Sequence, residues 1–210
     1  MNRTQVHQAP ARAAVTIRPP DPADLAALTG FLDGLSTRTR VQRFFAPVRP
    51  TPALVRRTCG QAGPAGHADV LLATHGSVII GHAMAADRAA AGDRAAAGDR
   101  AAAGDRAAAA DRPAAGESLT EIGVVVADAW QGQGVGSALV RTLLRRAQAR
   151  GVTSLCMDVL PGNNQVLAMI SGHWAAARTR RDADCVTIEV GLPAAQPEPV
   201  TPARMPLAAG

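Results

Sequence analysis

The pattern of apolar and polar residues in the first 60 positions predicts one strand and three short helices. Residues 15–18 alternate in the manner of a strand and run into Pro19. Further on, apolar residues recur every three or four positions, behind residues that cap helices and ahead of residues that end them. The helices are predicted from Asp21 to Gly34, from Ser36 to Arg43 and from Thr51 to Gly60.

Two apolar runs then lie on either side of a short polar stretch. Residues 69–73 and 78–83 are predicted strands, and Thr74 to Ser77 between them predict a hairpin turn. So short a connection makes the two strands antiparallel. His75 is expected to be a turn residue and His82 a strand residue, without a chemical role.

A low-complexity segment follows the hairpin. Asp-Arg pairs recur every six residues from Asp87 onward, and alanine and glycine fill the intervals. Alanine alone cannot supply a core, and each glycine costs a helix about 1 kcal/mol. We therefore predict a disordered or fraying insert at about 86–116, between two strands of the domain.

The stretch from Glu121 to Arg150 combines a strand, a glycine-rich turn and a helix. Leu119 to Ala127 is apolar on both faces, as in a strand at the centre of a sheet. The turn QGQGVG at 131–136 follows, and the helix is predicted from Gly134 to Arg150. Glycines let backbone N–H groups converge, and a helix N-terminus adds donors and partial positive charge. The segment therefore predicts a cradle for a pyrophosphate.

The rest of the pattern completes the sheet. A strand at 153–160 should run parallel to the central strand, because the helix between them forms a crossover. A helix from Asn163 to about Ser171 comes next, followed by strands near 175–179 and 185–190.

These elements predict a single α/β (α+β) domain over 15–192. Its mixed central sheet should have about six or seven strands, with an antiparallel N-terminal part, a parallel central pair and flanking helices. A flexible N-terminus is expected at 1–14 and a disordered, proline-rich tail at 193–210.

Composition narrows the class of partner. The net charge of +5 rests on 22 basic residues, all of them arginine, scattered along the chain with few aromatic residues among them. This pattern argues against nucleic acid and indicates a solvated basic surface that attracts anions or an acidic partner. No apolar run has membrane-spanning length and no secretory h-region is apparent, so we expect neither insertion nor secretion. Three cysteines without metal-ligand spacing predict a reducing cytoplasm and no metal site.

Two familiar uses of a glycine-rich turn are excluded. A dinucleotide-binding turn belongs to a repeated βαβ series, whereas an antiparallel hairpin precedes this turn. A P-loop requires Gly-Lys-Ser/Thr, and the chain has no lysine. The order of elements instead resembles the GNAT superfamily of acyl-CoA-dependent N-acyltransferases, whose signature Gln/Arg-x-x-Gly-x-Gly/Ala is matched by Gln131 to Gly136.

A narrower resemblance concerns bacterial protein lysine acetyltransferases. Residues 36–48, STRTRVQRFFAPV, are similar to their pattern Ser-x-x-x-Arg-x-x-x-Phe-Phe, and Glu121 stands ten residues before the signature glutamine as in that family. The similarity covers roughly residues 15–190, apart from the insert. It implies acetyl-CoA as the co-substrate and a protein acceptor, for example an acyl-CoA synthetase.

The resemblance also implies which residues hold the cofactor. In that family the carbonyl and the pantetheine bind backbone of the central strand, which implies Val124, Val125 and Val126. Amides of the turn and the following helix start would receive the pyrophosphate, which implies Gly132, Gln133, Gly134, Val135, Gly136 and Ser137. Gln131, which opens the signature, is counted with the cofactor-binding residues. Asn163 is either a plain helix cap or a contact to the cofactor.

Glu121 is the candidate general base. A free lysine titrates near 10.4, so an amine acceptor is mostly protonated at neutral pH and must lose a proton before it attacks. A carboxylate partly buried in a sheet is suited to accept that proton, directly or through a water. The alternative is a strand-end glutamate that pairs with an arginine.

One departure from the superfamily concerns the leaving group. Many members protonate the thiolate with a tyrosine after the asparagine-led helix, whereas this chain has no tyrosine and ends the helix with Ser171-Gly172-His173-Trp174. A CoA thiolate is a fair leaving group without help, and His173 is a conceivable donor.

Three functions are compatible with these residues. The first is acetyl transfer to a protein lysine, and the second is the same chemistry on a small amine such as an antibiotic or a polyamine. The third is a CoA-binding regulatory or scaffold protein without turnover. The intact Glu121 and glycine turn argue against the third function, and the basic surface disfavours polyamines.

Overall fold

One sheet is the frame on which the described parts of the chain are built. The structure is a computed structural model that describes residues 14–60, 68–87 and 119–193. Its strands are β1 (Val15–Arg18), β2 (Ala68–His75), β3 (Val78–Asp87), β4 (Leu119–Val126), β5 (Ser154–Val159), β6 (Arg178–Arg181) and β7 (Val186–Gly191). Their order is β1-β2-β3-β4-β5-β7-β6. The β4–β5 pair is parallel and the others are antiparallel, which confirms the predicted mixed sheet.

Helices cover both faces of this sheet. Within the described ranges they are α1 (Leu25–Gly34), α2 (Thr37–Phe44), α3 (Pro52–Thr58), α4 (Val135–Ala149) and α5 (Asn164–His173). On one face, α4 buries Leu139 and Leu143 against the sheet. On the other, α1 and α3 bury Leu28 and Val55. Because side chains alternate along a strand, Ile122 of β4 packs in the first layer and Val125 in the second.

The hairpin between β2 and β3 is tighter than predicted. Thr74 and His75 are paired residues of β2 rather than turn residues. The turn consists of Gly76 and Ser77, with Gly76 at a φ of 60°, which glycine adopts without steric strain. The sequence-based boundary was wrong because polar residues at a strand end look like turn residues.

Two limits near the C-terminal end also differ from the predictions. Helix α5 continues to His173, past the predicted end at Ser171. Strand β6 occupies 178–181 rather than 175–179, because the N–H of Ala177 donates to the carbonyl oxygen of Trp174 at 3.0 Å and closes a turn first.

Three predicted segments fall almost wholly outside the described residues. They are the flexible N-terminus at 1–14, the low-complexity insert at 86–116 and the tail at 193–210. At the edge of the second, β3 continues to Asp87, so the strand occupies the first two positions assigned to the insert.

Candidate active site

Strands β4 and β5 pair only at their beginnings. The parallel register joins Leu119 to Ser154, Thr120 to Leu155 and Glu121 to Cys156, and the described sheet has no later pair between them. Strand β4 nevertheless stays paired with β3 as far as Val126. The parallel strands therefore diverge beyond Glu121, and backbone groups that residues 122–126 direct toward β5 have no partner in that strand.

The glycine turn lies at the carboxyl end of β4, and α4 begins directly after it. Gly132 and Gly134 have φ values of 73° and 83°, in the left-handed region that favours glycine. A Cβ at either position would meet no atom within 4 Å, so both glycines face open space. Gly134 caps α4 without a side chain, which leaves the first N–H groups of the helix, from Val135 onward, uncapped. Such converging donors at a helix N-terminus suit a pyrophosphate.

The two glutamine side chains hold the turn in shape. Nε2 of Gln131 donates to the carbonyl oxygen of Val126 at 3.1 Å and to Oγ1 of Thr39 at 3.2 Å. Nε2 of Gln133 donates to the carbonyl oxygen of Ala129 at 2.8 Å. Both glutamine side chains therefore bond within the loop. The N–H of Gln131 also donates within it, to the carbonyl oxygen of Asp128 at 3.3 Å, so the amides that follow Gln131 are the groups that remain for a ligand.

Asn163 follows β5, at the same end of the parallel pair as the glycine turn. It occupies the N-cap position of α5, but its side chain makes no capping hydrogen bond. Only its backbone takes part, since its carbonyl oxygen accepts from the N–H of Leu167 at 3.1 Å. The side-chain amide is therefore not used as a plain helix cap and is available to a ligand.

Glu121 lies on the face of β4 that the α1–α3 layer covers. The residue is half-buried, and its carboxylate forms no hydrogen bond or ion pair with any residue in the described ranges. No ion pair with an arginine forms within the described ranges, although Arg43 lies near enough for its charge and that of Glu121 to interact. A half-buried carboxylate with open lone pairs is able to accept a proton.

Two further residues lie on the same face. Arg43 of α2 was not a sequence candidate, and His82 of β3 is the strand residue that the sequence predicts. His82 is 1% exposed, and its Nε2–H donates to the carbonyl oxygen of Thr58 at 2.7 Å. Burial, together with the nearby charge of Arg43, lowers the pKa of His82 to about 4, so the ring is neutral at pH 7. The Arg43 guanidinium rests on Gly123 of β4. No local motif marks Arg43, because it comes near Glu121 only through the fold.

Helix α2 is tied to the loop that precedes the glycine turn. The Asp128 carboxylate accepts hydrogen bonds from the N–H of Ser36 at 3.0 Å, from its hydroxyl at 2.7 Å and from the Thr39 hydroxyl at 2.8 Å. Burial acts to raise the pKa of Asp128, but these hydrogen bonds hold it below its usual range. On the other side of the loop, the Trp130 ring lies 4.8 Å from the ring of His75. The loop thereby fixes α2, and Arg43 with it, relative to the turn.

The end of α5 supplies no dedicated proton donor for a thiolate. His173 is exposed, and its Nδ1–H donates to the carbonyl oxygen of Met169 at 3.1 Å. This N–H is therefore already used in a hydrogen bond within α5. The chain has no tyrosine to take the role.

Metal-binding and membrane-spanning features are not found in residues 14–60, 68–87 and 119–193. In these ranges no group of three or more His, Cys, Asp or Glu side chains could hold a metal ion. None of the helices described there is long and apolar enough to cross a membrane.

Comparison with known proteins identifies the fold. The family model described as the acetyltransferase (GNAT) family matches residues 40–171, more than half of the chain. No curated protein matches the chain. The GNAT domain of S. lividans PAT is 26% identical, with a TM-score of 0.64, over 84% of this chain and 89% of that one.

Two further solved structures share the fold at lower identity. A putative acetyltransferase from Salmonella typhimurium, solved with its cofactor acetyl-CoA, is 18% identical with a TM-score of 0.56, over 86% of this chain and 95% of that one. The paia N-acetyltransferase from Thermoplasma acidophilum, in complex with coenzyme A, is 11% identical with a TM-score of 0.55, over 85% of this chain and 99% of that one. With the family model matched over the diverging strands and the glycine turn, this chain belongs to the acetyltransferase (GNAT) family, whose members are acetyl-CoA-dependent N-acetyltransferases.

Proposed function

We propose that this enzyme transfers the acetyl group of acetyl-CoA to the ε-amine of a protein lysine, by direct attack in a ternary complex with Glu121 as general base. The observation that carries the proposal is the divergence of β4 from β5 immediately after Glu121. It puts one carboxylate with open lone pairs at the start of the opening between the two strands. The resemblance of residues 36–48 to bacterial protein lysine acetyltransferases supports the acceptor class, with acyl-CoA synthetases as the acceptors it implies.

The cofactor is held by backbone groups. Amides from Gly132 to Ser137 bind the pyrophosphate, since the turn is open and the start of α4 is uncapped. Backbone of Val124, Val125 and Val126, unpaired toward β5, binds the pantetheine and polarises the thioester carbonyl. Asn163 adds a side-chain contact from the β5 side. When bound, acetyl-CoA supplies an activated acetyl thioester.

Glu121 removes the proton that blocks the acceptor. A lysine ammonium with a pKa near 10.4 carries its proton at pH 7, and the neutral amine is the form that attacks. The carboxylate accepts that proton directly or through one water, and such general-base catalysis contributes about 10²–10⁴-fold. The amine forms the new C–N bond, the acetyl C–S bond breaks, and CoA leaves as its thiolate without a tyrosine to protonate it. The cysteine spacing favours a reducing cytoplasm as the setting.

The acceptor class is tested by following labelled acetyl groups. The full chain is incubated with [¹⁴C]acetyl-CoA and a cell extract divided into a protein fraction and a small-molecule fraction. Glu121→Gln in parallel measures chemical acetylation without the proposed base. Because the chain has no lysine, it cannot acetylate lysines of its own and the background stays low. Tryptic mass spectrometry then locates the label.

We expect label on lysines of one or a few proteins with the wild-type chain and little with Glu121→Gln. Label confined to small amines would show that the acceptor class is wrong while leaving the transferase chemistry intact. Binding of acetyl-CoA without any transfer would instead favour a regulatory CoA-binding protein.

A further inference from the structure

The hydroxyl of Thr39 joins helix α2 to the loop that leads into the glycine turn. Thr39 is 5% exposed, and its hydroxyl donates to a carboxylate oxygen of Asp128 at 2.8 Å. Because a hydroxyl has one hydrogen, Oγ1 of Thr39 accepts in its other bond, which comes from Nε2 of Gln131 at 3.2 Å. The three side chains therefore form a series of hydrogen bonds that runs from Gln131 through Thr39 to Asp128.

Gln131 has an acceptor for each hydrogen of its side-chain amide. One acceptor is Thr39, and the other is the carbonyl oxygen of Val126, the last residue of β4, at 3.1 Å. The side chain of Gln133 differs, because its bond to Ala129 stays within the loop. Thr39, by contrast, stands 92 residues before Gln131 in the chain. Gln131 is thus a point at which the turn is bonded to a distant helix.

Packing does not hold the glycines that follow Gln131. A Cβ on Gly132 or Gly134 would meet no atom within 4 Å, and both residues have φ values in the left-handed region. Since glycine adopts many backbone conformations at little steric cost, hydrogen bonds at the entrance of the turn must stabilise one of them. The bond between Gln131 and Thr39 is suited to do so.

Capping of α2 does not explain the hydroxyl of Thr39. Ser36 is the N-cap residue, and its Oγ accepts from the backbone N–H of Thr39 at 3.1 Å. Asp128 accepts from the backbone N–H of Ser36 at 3.0 Å. Both bonds use backbone donors of α2 and its cap, so they would remain if Thr39 lost its hydroxyl. What the hydroxyl adds is the link to Gln131.

We propose that Thr39 is a positioning residue of the cofactor site, which acts through Gln131 to hold the glycine turn in the conformation that presents its amides to acetyl-CoA. This role rests on the proposed binding of the pyrophosphate by the amides that follow Gln131. Asp128 orients the Thr39 hydroxyl by accepting its hydrogen, which leaves a lone pair for Gln131. The segment 36–48, whose pattern supports the acceptor class, thereby also supports the cofactor side of the site.

Isothermal titration calorimetry of the full chain with coenzyme A tests this role, because binding needs neither an acceptor nor turnover. Thr39→Val keeps the size of the side chain and removes the hydroxyl. We expect the dissociation constant to rise about fivefold, the effect of one hydrogen bond, and Thr39→Ser to restore it to within about twofold of the wild type. Thr58→Val in α3 is the matched control: the buried Thr58 hydroxyl donates within its own helix, to Leu54 at 3.1 Å, and its loss should leave the dissociation constant unchanged.

A double-mutant cycle tests whether Thr39 acts through Gln131. Gln131→Met removes the amide donors and should weaken binding at least as much as Thr39→Val. The double variant should then bind coenzyme A no more weakly than Gln131→Met alone. Additive losses would show that Thr39 acts by another route and would overturn the proposal, as would an unchanged dissociation constant in folded Thr39→Val. If Thr39→Val does not fold, Gln131→Met at the exposed end of the link takes its place, and unchanged affinity there would overturn the proposal equally.

The same titrations separate a failure of this role from a failure of the proposed function. Gly134→Ala changes the turn itself. If it does not weaken the binding of coenzyme A, the turn does not hold the pyrophosphate, and the role of Thr39 fails with that part of the proposed function. If Gly134→Ala weakens binding and Thr39→Val does not, the role of Thr39 alone is wrong. Acetyl transfer to lysine is decided by the labelling experiment in either case.

Discussion

The β5-facing edge of β4 and its α2-facing face are built from different kinds of atoms. Along the edge, β4 offers backbone groups of residues 122–126 and, at its end, the amides of the glycine turn. On the face, the groups are side chains brought from three elements, namely Glu121, Arg43 and His82. Binding at the edge depends on backbone conformation, whereas the chemistry at the face depends on side-chain charge.

This difference means that substitutions on the two sides should separate binding from turnover. A change of backbone conformation at the turn weakens the hold on the cofactor in ground state and transition state alike, which raises KM. A change of charge on the face removes an interaction used only when the proton moves, which lowers kcat. Glu121→Gln, Gly134→Ala and Asn163→Ala therefore distinguish the two effects.

Glu121→Gln is expected to have the largest effect. Turnover should fall by about 10²–10⁴-fold, because the amide has the size of the carboxylate but cannot accept the proton. The dissociation constant for acetyl-CoA should change by less than about twofold, since the cofactor is held at the edge. Isothermal titration calorimetry and labelled transfer measure the two quantities, with Glu189→Gln on β7 as the matched control. If cofactor binding were lost together with turnover, the two sides of β4 would not separate binding from turnover. Near-normal turnover would show that Glu121 is not the base.

His82 should make the fold sensitive to acid. Its pKa lies at about 4 in the folded state, against about 6.5 in an unfolded chain. Between these values the unfolded chain binds a proton that the folded chain does not, so stability rises with pH across this window. Above about pH 6.5 this difference in proton binding does not change the free energy of unfolding. As the pH falls to about 4, it lowers that free energy by roughly 3 kcal/mol.

Urea unfolding at about pH 7.5 and about pH 5 measures the part of this loss that is reached by pH 5, roughly 2 kcal/mol, and His82→Gln should abolish most of it. Glutamine can still donate to the carbonyl oxygen of Thr58 but takes up no proton. His173→Gln, at the exposed end of α5, is the control and should keep the wild-type pH dependence. If the free energy of unfolding of His82→Gln fell with pH as steeply as that of the wild type, another titratable group would be responsible for the acid sensitivity.

Gly134→Ala should produce the mirror image of Glu121→Gln. At a φ of 83° an alanine is strained by roughly 1–2 kcal/mol. The substitution therefore either destabilises the fold or changes the conformation of the turn and moves its backbone amides. We expect KM for acetyl-CoA to rise about tenfold with kcat little changed. Gly30→Ala in α1 meets no atom within 4 Å and should instead stabilise the protein by about 1 kcal/mol without affecting KM. A fall in kcat alone for Gly134→Ala would contradict the division into edge and face.

The same division explains what the sequence could predict. The edge is encoded within one contiguous stretch, where a buried strand, alternate glycines and a helix start follow one another from Glu121 to Ser137. Each is a local signal, because backbone angles and helix ends depend on neighbouring residues. The antiparallel hairpin and the parallel central pair were predictable for a related reason, since short turns force antiparallel pairs and helical crossovers favour parallel ones.

The face could not be predicted, because its parts lie far apart in the chain. Arg43, His82 and Gly123 meet only after α2 packs on the sheet, and nothing near each residue signals the others. The divergence of β4 and β5 was equally hidden, since apolar patterning defines strands but not where pairing stops. The close approach of Arg43 to Gly123 emerges only from the structure, because it is a property of packing.

Asn163→Ala should have the smallest effect and tests whether the edge uses any side chain. Because the Asn163 side chain makes no capping bond, its loss should cost less than about 0.5 kcal/mol of stability. Thr51→Ala is the matched control: Oγ1 of Thr51 accepts from the N–H of Leu54 at 3.2 Å, and its removal should cost about 1 kcal/mol. We expect acetyl-CoA affinity to fall about two- to tenfold for Asn163→Ala, the worth of one hydrogen bond, and not for Thr51→Ala. Equal destabilisation by both substitutions, with unchanged affinity for acetyl-CoA, would show that Asn163 acts as a helix cap in solution. The cofactor would then be held by backbone groups alone.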